Sequence, residues 1–115
     1  MSYNALLLTT YGGCKKISLD FNNYEQMGEM VNASLIKIVI TIMTMDHSNK
    51  LGFTVVGFCN SEPDVVNDER NEVMEQFSGS KNIYGNVVLC GFDNVYTPLK
   101  EYQLDILMDY LRSKY

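Results

Sequence analysis

The sequence predicts an α+β domain on a mainly antiparallel sheet, in the order β-β-α-β-β-α-β-α, with a single layer of helices. Three observations predict it. Apolar residues alternate with a period of two in several short runs bounded by Gly, Asn and Ser. The two strands of each β-β pair are joined by a turn too short for a parallel crossover. The last segment carries helix-start signals and an apolar stripe at helical spacing.

The first two strands read as a hairpin. "YNALLLTT" is followed by "YGGCK", whose glycines suit a turn, and by "KISLDF". Ile17 and Leu19 share one face of the second strand, and Lys16, Ser18 and Asp20 the other. A short helix comes next. Asn23 is its expected cap, with Gln26 completing a capping box. Tyr24, Met27 and Val31 form its apolar face beside Met30, and Gly28 weakens it. "NAS" ends it.

Leu35 to Met43 gives the clearest alternation, with Ile36, Ile38, Ile40 and Ile42 on one face. Leu35, Val39 and Met43 share the other face with Lys37 and Thr41, a pattern that predicts a central strand. "DHSNK" is a polar turn and "LGFTVVGFC" the partner strand. The segment "NSEPDVVNDERNEVMEQF" is expected to be a second helix started by Asn60 or Ser61, with Pro63 in its first turn. Its first half reads equally as a loop, since "NDERN" is poor in strong helix formers. On a helix, Val66, Val73 and Phe77 gather on one side, and Asp64, Asp68, Glu72 and Glu75 on the opposite side.

"SGSKN" leads to "NIYGNVVLCGFDN", the last strand, with Val88 and Cys90 in the core. In the final helix Thr97 is the expected cap, Pro98 the first helical residue and Glu101 an acid in the first turn. Leu99, Ile106, Leu107, Tyr110 and Leu111 form its apolar face, with Arg112 and Lys114 at its end. No repeat, linker or low-complexity tract divides residues 1–115, which read as a single domain.

The composition restricts function. Hydrophobic content of 46% supplies a core, which excludes intrinsic disorder. The net charge of -5, with Lys and Arg scattered, argues against direct nucleic-acid binding and against anionic membranes. The longest apolar run, "SLIKIVITIMTM", is interrupted by Lys37 and threonines and is too short to span a bilayer. The leading residues have no basic segment, and the three cysteines, Cys14, Cys59 and Cys90, fit neither a disulfide framework nor a zinc pattern. A reducing, cytoplasmic location is expected. Seven methionines and eight tyrosines leave the oligomeric state open.

The candidates for chemistry are few. Cys90 lies within an apolar run and reads as a small buried hydrophobe rather than a nucleophile. Cys14 follows Gly12-Gly13 and precedes Lys15-Lys16, whose charges favour a thiolate, so it is the most reactive thiol candidate. A covalent mechanism would pair it with His47, the single histidine, which falls in a polar turn beside Asp46. "SGSK" lacks the spacing of a phosphate-binding loop. "DVVNDERNEVME" lacks the central glycine of a calcium loop. No cofactor or metal is therefore expected. The acidic face Asp64, Asp68, Glu72 and Glu75 is the surface feature with most character, either a solvated face or an interaction surface.

The pieces "ALLLTTYGG", "ISLDFNNYEQMGEMVNASLIKIVI", "FTVVGFCNSE", "IYGNVVLCGFD" and "TPLKEYQLDILMDYL" occur in an order that resembles a small bacteriophage- and virus-encoded domain family of unknown function. Its pattern is an "ALLV"-type N-terminal hairpin, a late "I-x-G-x-x-V-x-G" strand and a C-terminal helix. This chain departs from it in having "VNAS" for a double glycine and more acid after "CNSE". The resemblance implies the fold and a viral setting, the cytoplasm of an infected host cell, and no catalytic residues. Three function classes follow. The first is a non-catalytic accessory protein that binds and modulates a host or viral macromolecule, its partner an unknown protein. The second is a small-molecule or nucleotide-sequestering module. The third is a minor enzyme using Cys14 or the acidic cluster.

Overall fold

The computed structural model describes residues 3–11, 13–31, 36–41, 55–60, 62, 68–78 and 82–113, with backbone alone for 36–41, 76–78 and 113. Strands β1 (Ala5–Leu8) and β2 (Cys14–Ile17) form the expected hairpin, pairing Ala5 with Ile17 through Leu8 with Cys14. Asn4 extends it. Its side chain donates to the Leu19 carbonyl at 2.7 Å and accepts from the Leu19 N–H at 2.8 Å. Helix α1 (Tyr24–Glu29) starts where the sequence places it, because the Asn23 side chain accepts from the Gln26 N–H at 3.0 Å. The capping box does not close. Gln26 Oε1 accepts instead from the Asp20 N–H at 2.9 Å.

Strands β3 (Ile36–Thr41) and β4 (Val55–Asn60) pair antiparallel, with a bulge between Ile38 and Ile40. Helix α2 (Glu72–Ser78) leads to β5 (Val87–Phe92), then a two-residue strand β6 (Tyr96–Thr97) and helix α3 (Glu101–Ser113). The sheet order is β2-β1-β5-β4-β3, with β6 on β5, and each strand pair is antiparallel. The α+β class and antiparallel sheet are thus as the sequence predicts. The described strands share one sheet, and the radius of gyration is 13.0 Å, close to the value of about 13 Å expected for a compact chain of this size.

The central strand is β5 rather than β3. Among the described residues β3 pairs with β4 alone, whereas β5 enters between β1 and β4. Val87 to Gly91 are buried in succession, the pattern of a strand covered on both faces. The side chains of Ile36, Ile38 and Ile40, and Ile42 entirely, lie outside the described residues, as does the "DHSNK" turn with His47.

The helices do not form a single layer. Leu6, Leu8, Val55, Val87 and Leu89 point to a face covered by Val73 and Met74 of α2 and Leu104, Leu107 and Leu111 of α3. Ala5, Val56, Phe58, Val88 and Cys90 point to the opposite face, covered by Met27 of α1 and by Val31. The strict alternation along β1, β4 and β5 makes both faces apolar, so both need a cover. Gly57 belongs to the α2 face, where a Cβ would come within 3.0 Å of Val87 Cγ1 and 3.1 Å of Leu89 Cδ2.

The start of α3 also differs from expectation. Thr97 is held in β6 opposite Gly91, so it cannot cap. The first helical bond runs from the Leu104 N–H to the Lys100 carbonyl, and Gln103 Oε1 reaches back to the Lys100 N–H at 2.9 Å. With this phase Leu104, Leu107 and Leu111 face the sheet, while Ile106 is exposed and Tyr110 half-buried.

Candidate functional site

The three thiols do not converge. Cys59 and Cys90 are buried, on opposite faces of the sheet. Burial pushes the Cys90 thiol up to about 12. Cys14 is half-buried at the β2 end and packs against the α3-side core. Its thiol is also raised by burial, partly offset by the Arg112 charge. The expected activation by Lys15 and Lys16 is not built. Lys16 turns instead to Asp105 at 2.7 Å and Glu101 at 3.3 Å. Cys14 remains the most accessible thiol, and its environment favours the neutral form.

At its described residues the acidic face expected from the sequence does not form as one helical stripe. Asp64 lies outside the described residues, and Asp68 sits in a bend before α2. The helix starts at Glu72 because Asn71 caps it, Asn71 Oδ1 accepting from the Met74 N–H at 3.0 Å. This cap lies well past Asn60, the last residue of β4. The loop alternative for the first half of the segment holds for residues 68–71. Glu72 is exposed, but Glu75 is 9% exposed and turned inward. Its carboxylate accepts from Arg70 Nε at 3.1 Å, from Arg70 Nη2 at 2.6 Å and from the Ile83 N–H at 3.0 Å. The Arg70 hydrogen bonds hold the Glu75 carboxyl below its ordinary range, against an opposing effect of burial.

The residues 69–71 run beside 83–85. Asn71 N–H donates to the Ile83 carbonyl at 2.7 Å, and Gly85 N–H to the Glu69 carbonyl at 2.8 Å, with Arg70 bridged to Tyr84. Gly85 has φ +77°, which a side chain rarely adopts. Asn82, with φ 63°, is the kind of non-glycine residue that tolerates such a backbone. Asn71 ties this ribbon to the sheet. It is fully buried and its Nδ2 donates to the Leu8 carbonyl at 3.1 Å and the Gly85 carbonyl at 3.0 Å.

The ribbon forms one wall of a cleft of about 260 Å³ at the end of the sheet where β1 and β4 finish and β5 begins. Thr10 and Tyr11 enter it from β1, Val31 from beyond α1 and Asn60 from β4, facing Asp68, Glu69 and Tyr84 to Asn86. Thr10 Oγ1 donates to Glu69 Oε2 at 3.2 Å. Tyr11 is 86% exposed, and Asp68 and Glu69 also face solvent. No lining residue among those described is basic. Two carboxylates and two tyrosines lining a small opening suit a cationic group.

Helical spacing in the sequence puts Asp68 at the surface but does not point to Glu69, Tyr11, Tyr84, Asn60 and Asn86 as its companions. Tyr11 beside Gly12-Gly13 and Tyr84 before Gly85 were the available signals, as large rings next to turn glycines. The cleft draws on five separate segments, so no local spacing joins them. Among the described residues no cluster of three His, Cys, Asp or Glu could hold a metal ion, and no helix is long and apolar enough to cross a membrane. Comparisons with protein-family models, with curated proteins and with solved structures find no match to this chain.

Proposed function

We propose that this chain is a phage- or virus-encoded accessory protein that binds and modulates a host or viral macromolecule without catalysing a reaction. We place its recognition site in the cleft at the end of the sheet. The observation that carries the reading is the cleft lining, Asp68, Glu69 and Tyr84 on the ribbon wall with Tyr11 entering from β1, and no basic side chain among the described lining residues. Such a lining favours a lysine or arginine side chain of a protein partner over a phosphate-bearing ligand. The net charge of -5 supports the same choice, because it speeds encounter with a basic surface and repels nucleic acid. The resemblance of the hairpin, late strand and final helix to phage-encoded domains supports the setting, an infected host cell.

The test is direct binding to a panel of lysine- and arginine-containing octapeptides, each matched by a counterpart with glutamine at the basic positions. Binding of the basic set is expected to weaken with salt, since exposed charges are screened beyond about 8 Å at physiological ionic strength. Asp68→Asn with Glu69→Gln is expected to abolish it, and Tyr84→Leu to weaken it. Equal binding of the basic and glutamine peptides sinks the cleft reading. A thermal shift with nucleotides and none with basic peptides would favour a sequestering module instead.

A further inference from the structure

Glu75 and Asn71 are buried polar groups set behind the cleft rather than in it. Neither belongs to its lining, yet each is bonded to the wall that does. Glu75 joins the guanidinium of Arg70, on one strand of the ribbon, to the Ile83 N–H on the other. Asn71 joins the Gly85 carbonyl to the Leu8 carbonyl of β1 and caps α2 through the Met74 N–H. Among the described residues, Asn71 N–H to Ile83 and Gly85 N–H to Glu69 are backbone bonds that pair the two strands of the ribbon. A pairing this short is marginal without side-chain support. The buried bonds of Glu75 and Asn71 supply that support, and both residues stand at the first turn of the same helix.

We infer that Asn71 and Glu75 are positioning residues of the cleft, a clamp that holds the wall formed by residues 68–69 and 84–86 against the sheet end. The wall then opens as a unit, separately from the sheet, when the clamp is weakened. Local opening of this kind is expected where few backbone bonds and a small set of side-chain contacts hold a segment. This inference rests on the cleft reading for its consequence in binding, but the clamp itself does not.

Amide hydrogen exchange on the full chain, without any ligand, tests it. In Glu75→Gln the carboxamide keeps the size of the side chain and loses the charge that Arg70 binds. Exchange at Ile83, Gly85 and Asn71 is expected to speed up by about tenfold or more, as for loss of a charge-assisted bond, relative to Val88 and Leu89 of β5. Arg70→Gln, which removes the guanidinium from the other side of the same pair, is expected to do the same. Equal acceleration at the ribbon and at β5 overturns the clamp, because the residues would then act only on global stability. Unchanged exchange at the ribbon in both variants overturns it too. Basic octapeptides are then added to the wild type and to Arg70→Gln. Weaker binding by the variant ties the clamp to recognition, and unchanged binding overturns its positioning role. Failure of the wild type to bind any peptide removes the cleft reading, while the exchange data still decide the clamp.

Discussion

Phe58 offers the sharpest check on how the fold is held. It is fully buried on the α1 face of β4, and its ring meets Tyr96 edge-on with centroids 5.1 Å apart and planes at 61°. Phe58→Ala removes the buried ring and leaves a cavity, a change that costs about 3–5 kcal/mol in well-packed cores. Of that, about 0.5–1.5 kcal/mol belongs to the aromatic pair, which a double-mutant cycle with Tyr96→Leu isolates. Total stability of a domain this size is about 5–15 kcal/mol, so the variant is expected to fold but to unfold at much lower urea. The measurement is equilibrium urea unfolding followed by circular dichroism, with the slope unchanged. A second signal comes from Tyr96 itself. Burial raises its phenol to about 12, and water admitted by the missing ring is expected to return it toward its ordinary value of 10.0. A loss below about 1 kcal/mol, together with an unaltered tyrosine titration, would refute the packing described here.

The two faces of α3 should differ sharply. Leu107→Ala, at a fully buried position, is expected to cost about 2–5 kcal/mol, and Ile106→Ala, 38% exposed, well under half of that by the same unfolding assay. Thiol titration of the native protein is expected to label Cys14 first, more slowly than a free thiol, with Cys59 and Cys90 protected; early reaction at Cys90 would contradict its burial. Alkaline stability follows from the same burial. An acid whose folded value is raised binds its proton longer when folded, so stability is complete below the unfolded value and declines above it. For Cys90 the decline spans pH 9.0 to about 12, and Cys90→Ala is expected to flatten that part of the stability curve. Among the acids, Glu72→Gln is expected to leave the urea midpoint nearly unchanged, whereas Glu75→Gln lowers it.

By itself the sequence determined the α+β class, the first hairpin, the Asn23 cap and the amphipathic last helix. Those features rest on contacts a few residues apart. Period-two alternation states which residues share a strand face, and a cap needs only a side chain and an amide three positions on. The apolar run around Val88 and Cys90 was legible for a related reason, since unbroken burial demands cover on both sides.

Tertiary structure alone decided the rest. Nothing local states that β5 inserts between β1 and β4, which moves the isoleucine-rich β3 to the end of the sheet among the described residues. Nothing local makes Thr97 pair with Gly91 and so delays the α3 cap to Lys100. Helical spacing put Glu75 on the solvent side with Asp68 and Glu72, yet the segment 83–85 folds back over α2 and offers Ile83 N–H, while Arg70 supplies the countercharge. The cleft is of the same kind. Its carboxylates and rings come from segments far apart in sequence, and only the antiparallel return of β5 beside β1 and β4 brings their ends to one place.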